Sequence, residues 1–283
     1  MSSLQRTIKY VAIAFAIVLA VSIIAGIANV AFSVMSAVSS NHSNDKDNTS
    51  LDISDSFTGV KSLDVNNSTG KLTIKTGETF KVEAENVSKD FTAKVDNDGT
   101  LEVSDNNKDF EFLWFDFNGF NSPNSKITVY IPNDFVAKEA KINTGAGSVY
   151  IEGLKSEYLY VSTGAGSISG DDITAEEVKI EGGVGSISLQ DVNFADGDFN
   201  CGVGSLNIDG VLSGKNKIDC GVGSVSLDLT GDVDNYDYDF DSGIGKIRLN
   251  GEKVSDDYKT DNDAANSIKV EGGVGDVSIN ITE

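Results

Sequence analysis

Two cysteines, Cys201 and Cys220, stand 19 residues apart, and five aspartates, Asp232, Asp234, Asp237, Asp239 and Asp241, crowd one short stretch. The chemistry open to them is a disulfide for the thiols and oxygen ligation of calcium for the carboxylates. Neither set completes a motif. The acidic stretch lacks the central glycine and closing glutamate of an EF-hand, and GGVGDVSI from Gly272 matches the nine-residue calcium repeat only superficially. A solvated acidic loop is the competing reading. Two thiols with no histidine nearby are too few for a zinc site. No cofactor is implied.

Catalytic constellations are equally sparse. His42 is the single histidine, and Arg248 is the one arginine beyond the N-terminal segment. Neither a Ser-His-Asp nor a Cys-His arrangement can be assembled from them. Paired carboxylates could hydrolyse glycosides, but among 44 acids a chance pair carries little weight. Seven Gly-x-Gly triplets, beginning at Gly145, Gly164, Gly183, Gly202, Gly221, Gly243 and Gly273, invite a phosphate-binding reading. They lack the third glycine of a dinucleotide fingerprint and the lysine of a P-loop. The expectation is a protein without enzymatic activity.

The spacing of those triplets says what they are. The first five recur every 19 residues, followed by gaps of 22 and 30. A fixed period of this length marks stacked supersecondary units. Before each corner stand Ile142, Val161, Ile180, Phe199, Ile218, Phe240 and Val270; after it stand Val149, Ile168, Ile187, Leu206, Val225, Ile247 and Val277. A third column runs Leu154, Ile173, Val192 and Val211. Alternation around the corners is the period-2 signature of short strands with one buried face. Nineteen residues are too few for two helices and their turns. The reading is an all-β fold, a single-stranded parallel β-solenoid (a β-helix) with glycines at its corners. The middle residue of each triplet, always Ala, Val or Ile, is expected to point inward.

Cys201 and Cys220 share a column with Thr144, Thr163, Gly182, Ser242 and Gly272. It is expected to face inward and to admit only small side chains. Stacked neighbours about 4.8 Å apart fall within the Cα range of a disulfide. In-register parallel neighbours make an awkward bridge, however, and buried free cysteine is common, so both outcomes stay open. Ser148, Ser167, Ser186, Ser205 and Ser224 form an outward hydroxyl ladder.

The rest of the chain sorts into segments. Residues 1–9, with Arg6 and Lys9, are read as a cytoplasmic N-terminus, and the apolar run 10–38 as a transmembrane signal-anchor helix, with a cleaved signal peptide as the alternative. Residues 39–50 form a polar tether, 51–135 irregular β rungs, and 136–283 the regular solenoid. Of the 22 bases, Arg6 and Lys9 precede the apolar run, leaving 20 against 44 acids and a net charge of −24. That balance argues against nucleic acid and against adsorption to anionic lipid. An aromatic segment around Phe112, Trp114, Phe115 and Phe117 is either a cap on the stack or an exposed contact surface for a partner. Acidic loops at 231–241 and 252–267 account for the two longer gaps.

ITVYIPNDF from Ile127, NTGAGSVYIEGL from Asn143 and the GAG and GVG units that follow resemble the bacterial "putative adhesin" β-strand-repeat family, a cell-envelope domain of unknown function. The resemblance covers about residues 60–281 and implies the fold. It carries no functional residues. The expected role is a membrane-anchored, extracytoplasmic scaffold or adhesion module contacting an envelope protein or glycan. The alternatives are an accessory or sensor subunit of an envelope-stress system and, behind it, a polysaccharide-acting enzyme.

Overall fold

The computed structural model describes residues 51–105 and 125–283, which belong to one compact unit. The anchor read over 10–38, the tether and the aromatic segment with Phe112, Trp114, Phe115 and Phe117 lie outside the described residues. Among those described, no helix is long and apolar enough to cross a membrane.

The repeats form the strands that their alternation predicts. Long strands β7 (Val136–Glu152) and β8 (Lys155–Asp171) each run through a Gly-x-Gly corner, and β9 (Thr174–Val184), β10 (Ile187–Val203) and β11 (Leu206–Val222) each end at one. Neighbours pair in parallel with corresponding residues aligned: Ile142 lies beside Val161, Val161 beside Ile180, Ile180 beside Phe199 and Phe199 beside Ile218. The expected inward columns are buried, with Ile142, Val161, Phe199 and Ile218 wholly inaccessible. Each such aliphatic or aromatic side chain contributes about 1.5–3 kcal/mol by leaving water. No rung could seal its own few side chains, so the stack is the core.

The second glycine of each corner is required by backbone contact. A Cβ on Gly204, where φ is +149°, would stand 1.6 Å from the carbonyl oxygen of Gly185, and its counterparts meet the same obstacle. Successive rungs touch backbone to backbone there, so the corner tolerates only glycine.

One column departs from the sequence reading. A register shift after Leu189 places Val192 beside Gly210 rather than Val211, and Leu212, beside Phe194, is the buried residue in that rung. The bulge moves Val211 off the core.

Both ends of the stack break chain order. Strand β2 (Ser62–Gly77) lies between β7 on one side and β5 (Thr100–Asp105) with β6 (Lys126–Pro132) on the other. Beyond β6 lies β3 (Phe80–Val87), and β1 (Leu51–Phe57) pairs with β3; both pairings are antiparallel. Strand β2 is therefore the first strand of the parallel stack along the chain, and β5 with β6 is its end rung in space. The first strand, β1, belongs to an antiparallel cover, because its partner runs against β6.

The other end mirrors this. The final rung, β16 (Asn266–Val274) with β17 (Val277–Thr282), is inserted between β11 with β12 (Val225–Thr230) and the preceding rung, β13 (Tyr236–Ile244) with β14 (Ile247–Leu249). The longer gaps in the repeat follow from this. After β12 the chain steps over a slot through a short 3-10 turn, Val233–Asn235, and later returns to fill it. The returning segment lies along the open edge of β13, where Phe240 N–H donates to the Tyr258 carbonyl (2.8 Å), Ser242 N–H to Asp256 (3.0 Å) and Thr260 N–H to Tyr238 (2.9 Å). What reads as a protruding loop is an end cap that pairs an edge strand.

Candidate interaction surface and the buried thiol pair

The stretch 231–241 is a strand for most of its length. Tyr236, Tyr238 and Phe240 point into the core, and Asp237, Asp239 and Asp241 alternate outward. Side chains two residues apart on a strand stand about 6.8 Å from one another, too far to share one calcium ion at 2.3–2.6 Å bond lengths. Three of the five carboxylates also have a local task. Asp232 caps the 3-10 turn by accepting from Asp234 N–H (3.0 Å). Asp237 accepts from Asn262 N–H (2.7 Å) and Ala264 N–H (3.1 Å), pinning the end cap. Asp239 pairs with Lys259 at 3.2 Å, and Asp241 is exposed beside Glu271. Among the described residues, no group of three or more histidine, cysteine, aspartate or glutamate side chains is placed to hold a metal ion.

The small-residue column faces inward as its composition requires. In spatial order it reads Asp105, Asn67, Thr144, Thr163, Gly182, Cys201, Cys220, Gly272, Ser242. It is a polar seam through an apolar core. The hydroxyls of Thr144, Thr163 and Ser242 and both amide atoms of Asn67 are buried without a protein partner. At Gly182 the missing side chain is replaced by Ile187, whose Cδ1 would lie 3.1 Å from an added Cβ.

Cys201 and Cys220 are register partners, 2 % exposed, and both are free thiols; the disulfide alternative is not the state seen here. The geometry explains why. A bridge needs Cβ atoms about 3.5–4.5 Å apart, whereas in-register parallel strands hold equivalent atoms about 4.8 Å apart. The Cys220 thiol donates instead to the Gly204 carbonyl at 3.9 Å. The neighbouring Cys201 thiol, with burial adding to the rise, holds Cys220 above the ordinary thiol range, while proximity to Cys220 draws Cys201 down.

The corner residues turn outward, against expectation. Ala146, Ala165, Val184, Val203, Val222, Val274 and Ile244 form a ridge along the stack, with Val184 39 % and Ile244 43 % exposed. The corner glycines either side carry the chain around the bend, so the residue between them sits at its apex. Val184→Asp is therefore expected to shift stability by no more than about 0.5 kcal/mol, read as an unchanged denaturation midpoint.

The outward faces carry charge in paired form. Lys179 meets Glu181 at 2.9 Å, and Tyr160 O–H donates to the same carboxylate at 2.7 Å. Lys179 first, and Tyr160 second, hold Glu181 below the usual carboxylate range. A depressed folded value contributes stability that is present above the unfolded pKa and lost as pH falls through the folded one. Exposure to solvent keeps that contribution small. Tyr160→Phe should move the Glu181 titration upward toward its ordinary value in a carboxyl-resolved NMR titration, leaving the fold intact.

A shallow groove of about 920 Å³ crosses several rungs on another face. Its walls include Lys61, Lys138, Glu139, Glu157, Tyr158, Glu176, Glu177 and Asp196, so acids outnumber bases. Sequence reasoning passed over it, although 138, 157 and 176 keep the same 19-residue interval as the corners. The signal is an outward column of mixed charge, Lys138, Glu157 and Glu176, which has no common residue type to mark it. In the rung beside β2, Asp105 pairs with Asn67 and Lys126 with Lys71.

The architecture defines a class: a mostly parallel β-solenoid with glycine corners, a closed apolar interior and a charged exterior. Within that class the chain belongs to the Toastrack DUF4097 family, whose model matches residues 60–258. Two solved structures are similar in fold. One, titled a "putative cell adhesion protein" from Clostridium sporogenes, is 19% identical, with 82% of this chain and 100% of that chain covered at a TM-score of 0.42. The other, a "putative adhesin" from Bacteroides fragilis, is 12% identical, with 82% and 98% covered at a TM-score of 0.37. No curated protein matches the chain significantly.

Proposed function

We propose that this chain is a membrane-anchored, extracytoplasmic binding module without catalytic activity. One observation carries the reading: the strands stay in register from Leu101 through Leu63, Ala140 and Leu159 to Ile268 and Tyr238. That gives a rigid outer face roughly 40 Å long at about 4.8 Å per rung. A rigid face costs little conformational entropy on binding, which suits a scaffold. The uncharged run at 10–38 behind Arg6 and Lys9 supports an anchor with the stack outside the membrane. The excess of acids along the groove favours a partner segment rich in Lys or Arg, or a neutral glycan, over nucleic acid.

The test uses the full-length chain reconstituted in vesicles and presented with envelope proteins and envelope polysaccharides. Retention of one of these without release of products is expected, with retention lost in Glu157→Lys/Glu176→Lys. Release of polysaccharide fragments, abolished by a carboxylate substitution, overturns the non-catalytic reading. In cells, function should survive replacement of 10–38 by an unrelated membrane helix. Its loss on that replacement would transfer the role to the anchor and favour the sensor-subunit alternative.

A further inference from the structure

The thiol pair sits in a setting the fold did not need. From Thr144 onward the inward column otherwise uses Thr, Ser or Gly, and two adjacent rungs carry sulfur instead. The register gives the pair its span. Equivalent atoms on paired strands lie about 4.8 Å apart, and two metal–sulfur bonds of about 2.3 Å laid end to end cover nearly the same distance. The strand spacing that opposes a relaxed disulfide matches a linear sulfur–metal–sulfur unit. Beyond Cys220 the column opens. A Cβ on Gly272 would find nothing nearer than Ser242 Oγ at 3.7 Å. That hydroxyl is itself buried and without a protein partner, turned toward the gap. The gap leaves Cys220 room to turn its sulfur, and on the outer side each cysteine is one residue from an exposed corner glycine, Gly202 or Gly221.

We propose that Cys201 and Cys220 form a two-coordinate site for a soft monovalent cation of the Cu(I) class. Thiolate ligands select such ions over hard ones. Binding is a ligand exchange without redox change. One S–H bond breaks, its proton leaves to solvent, and the ion bonds to that thiolate and to the neutral thiol beside it. The assembled unit carries no net charge, which an apolar interior requires.

Silver(I), which shares the charge and softness of Cu(I) without its redox chemistry, is the probe. The chain has two cysteines and, as further sulfur donors, only Met1 and Met35. The full-length reduced chain, titrated with Ag(I), should take up one equivalent per chain, develop an ultraviolet sulfur-to-metal absorption and melt at a higher temperature. Cys201→Ser and Cys220→Ser, substitutions the column accommodates since it already holds Ser242, should each abolish both signals while retaining the strand circular dichroism. Uptake of one ion by each thiol separately, survival of the absorption in either single variant, or failure to bind while the fold is intact would overturn the site. Should a serine variant unfold, the wild-type stoichiometry and the melting shift still decide it.

Discussion

Ile187→Asp should unfold the middle of the stack, at a cost of several kcal/mol against a total that for a domain is about 5–15 kcal/mol. Ile187 is 1 % exposed, stands in register between Ile168 and Leu206, and also fills the space that Gly182 leaves in the neighbouring column. The substitution removes that packing on both sides and sets a carboxylate among aliphatic ladders with no cation in reach, so it must either protonate or drag water in. Stability in a solenoid is a sum of rungs and their interfaces, and a fault at the centre severs the coupling of the two halves. Hydrogen exchange should show protection lost first in 174–210, and the denaturation midpoint should fall far below that of Ile187→Val, whose missing methyl costs about 0.5–1.5 kcal/mol. Ser188→Asp, one residue on and outward, is the control and should leave the midpoint in place. A normal midpoint for Ile187→Asp would mean that the column does not face the core.

The contrast with Val184 marks what could be read from the chain. The columns flanking each corner were legible because a buried ladder must be apolar in every rung, and period-2 alternation says which face it occupies. The corner residue was misread because Ala, Val and Ile are equally apolar on an exposed apex, where the glycines either side leave no route inward. Composition cannot separate a residue buried in the stack from one riding on its ridge. The polar seam was recognised by size alone, since Thr, Ser, Cys and Gly share small volume. Of the candidate site, the pairing of the two thiols was visible in the 19-residue interval. The dispersal of the aspartates was not, although YDYDFD alternates strictly and is the pattern of a half-buried strand. Its acidity drew the reading toward a loop. The antiparallel cover formed by β1 and β3 lies outside the 19-residue repeat, and the alternation of Phe80, Val82 and Ala84 marks a strand without telling its direction.

Least legible was the order of the rungs. Every rung carries the same columns, so β13 could lie beside β11 as well as β16 does; Phe240 and Val270 are interchangeable above Ile218 as far as hydrophobicity goes. Order is decided by the connections, which the repeat pattern does not encode. This makes removal of residues 266–283 a sharper experiment than deletion of an end rung would be. An end rung has one partner. The rung removed here has two, β11 and β12 on one side and β13 and β14 on the other, and it covers Ile218, Leu227 and Phe240. Without it the end cap loses the strand that carries the chain back from Asn262 and Ala264, which bond Asp237. The truncated chain is expected to lose exchange protection throughout 206–249 and to bind a hydrophobic dye, while 136–190 stays protected because its interfaces are remote. Those results would show that the inserted rung ties the end of the stack together. If protection over 236–249 instead persists, β13 has closed directly onto β11, and the column register, rather than the connections, sets the order of the stack.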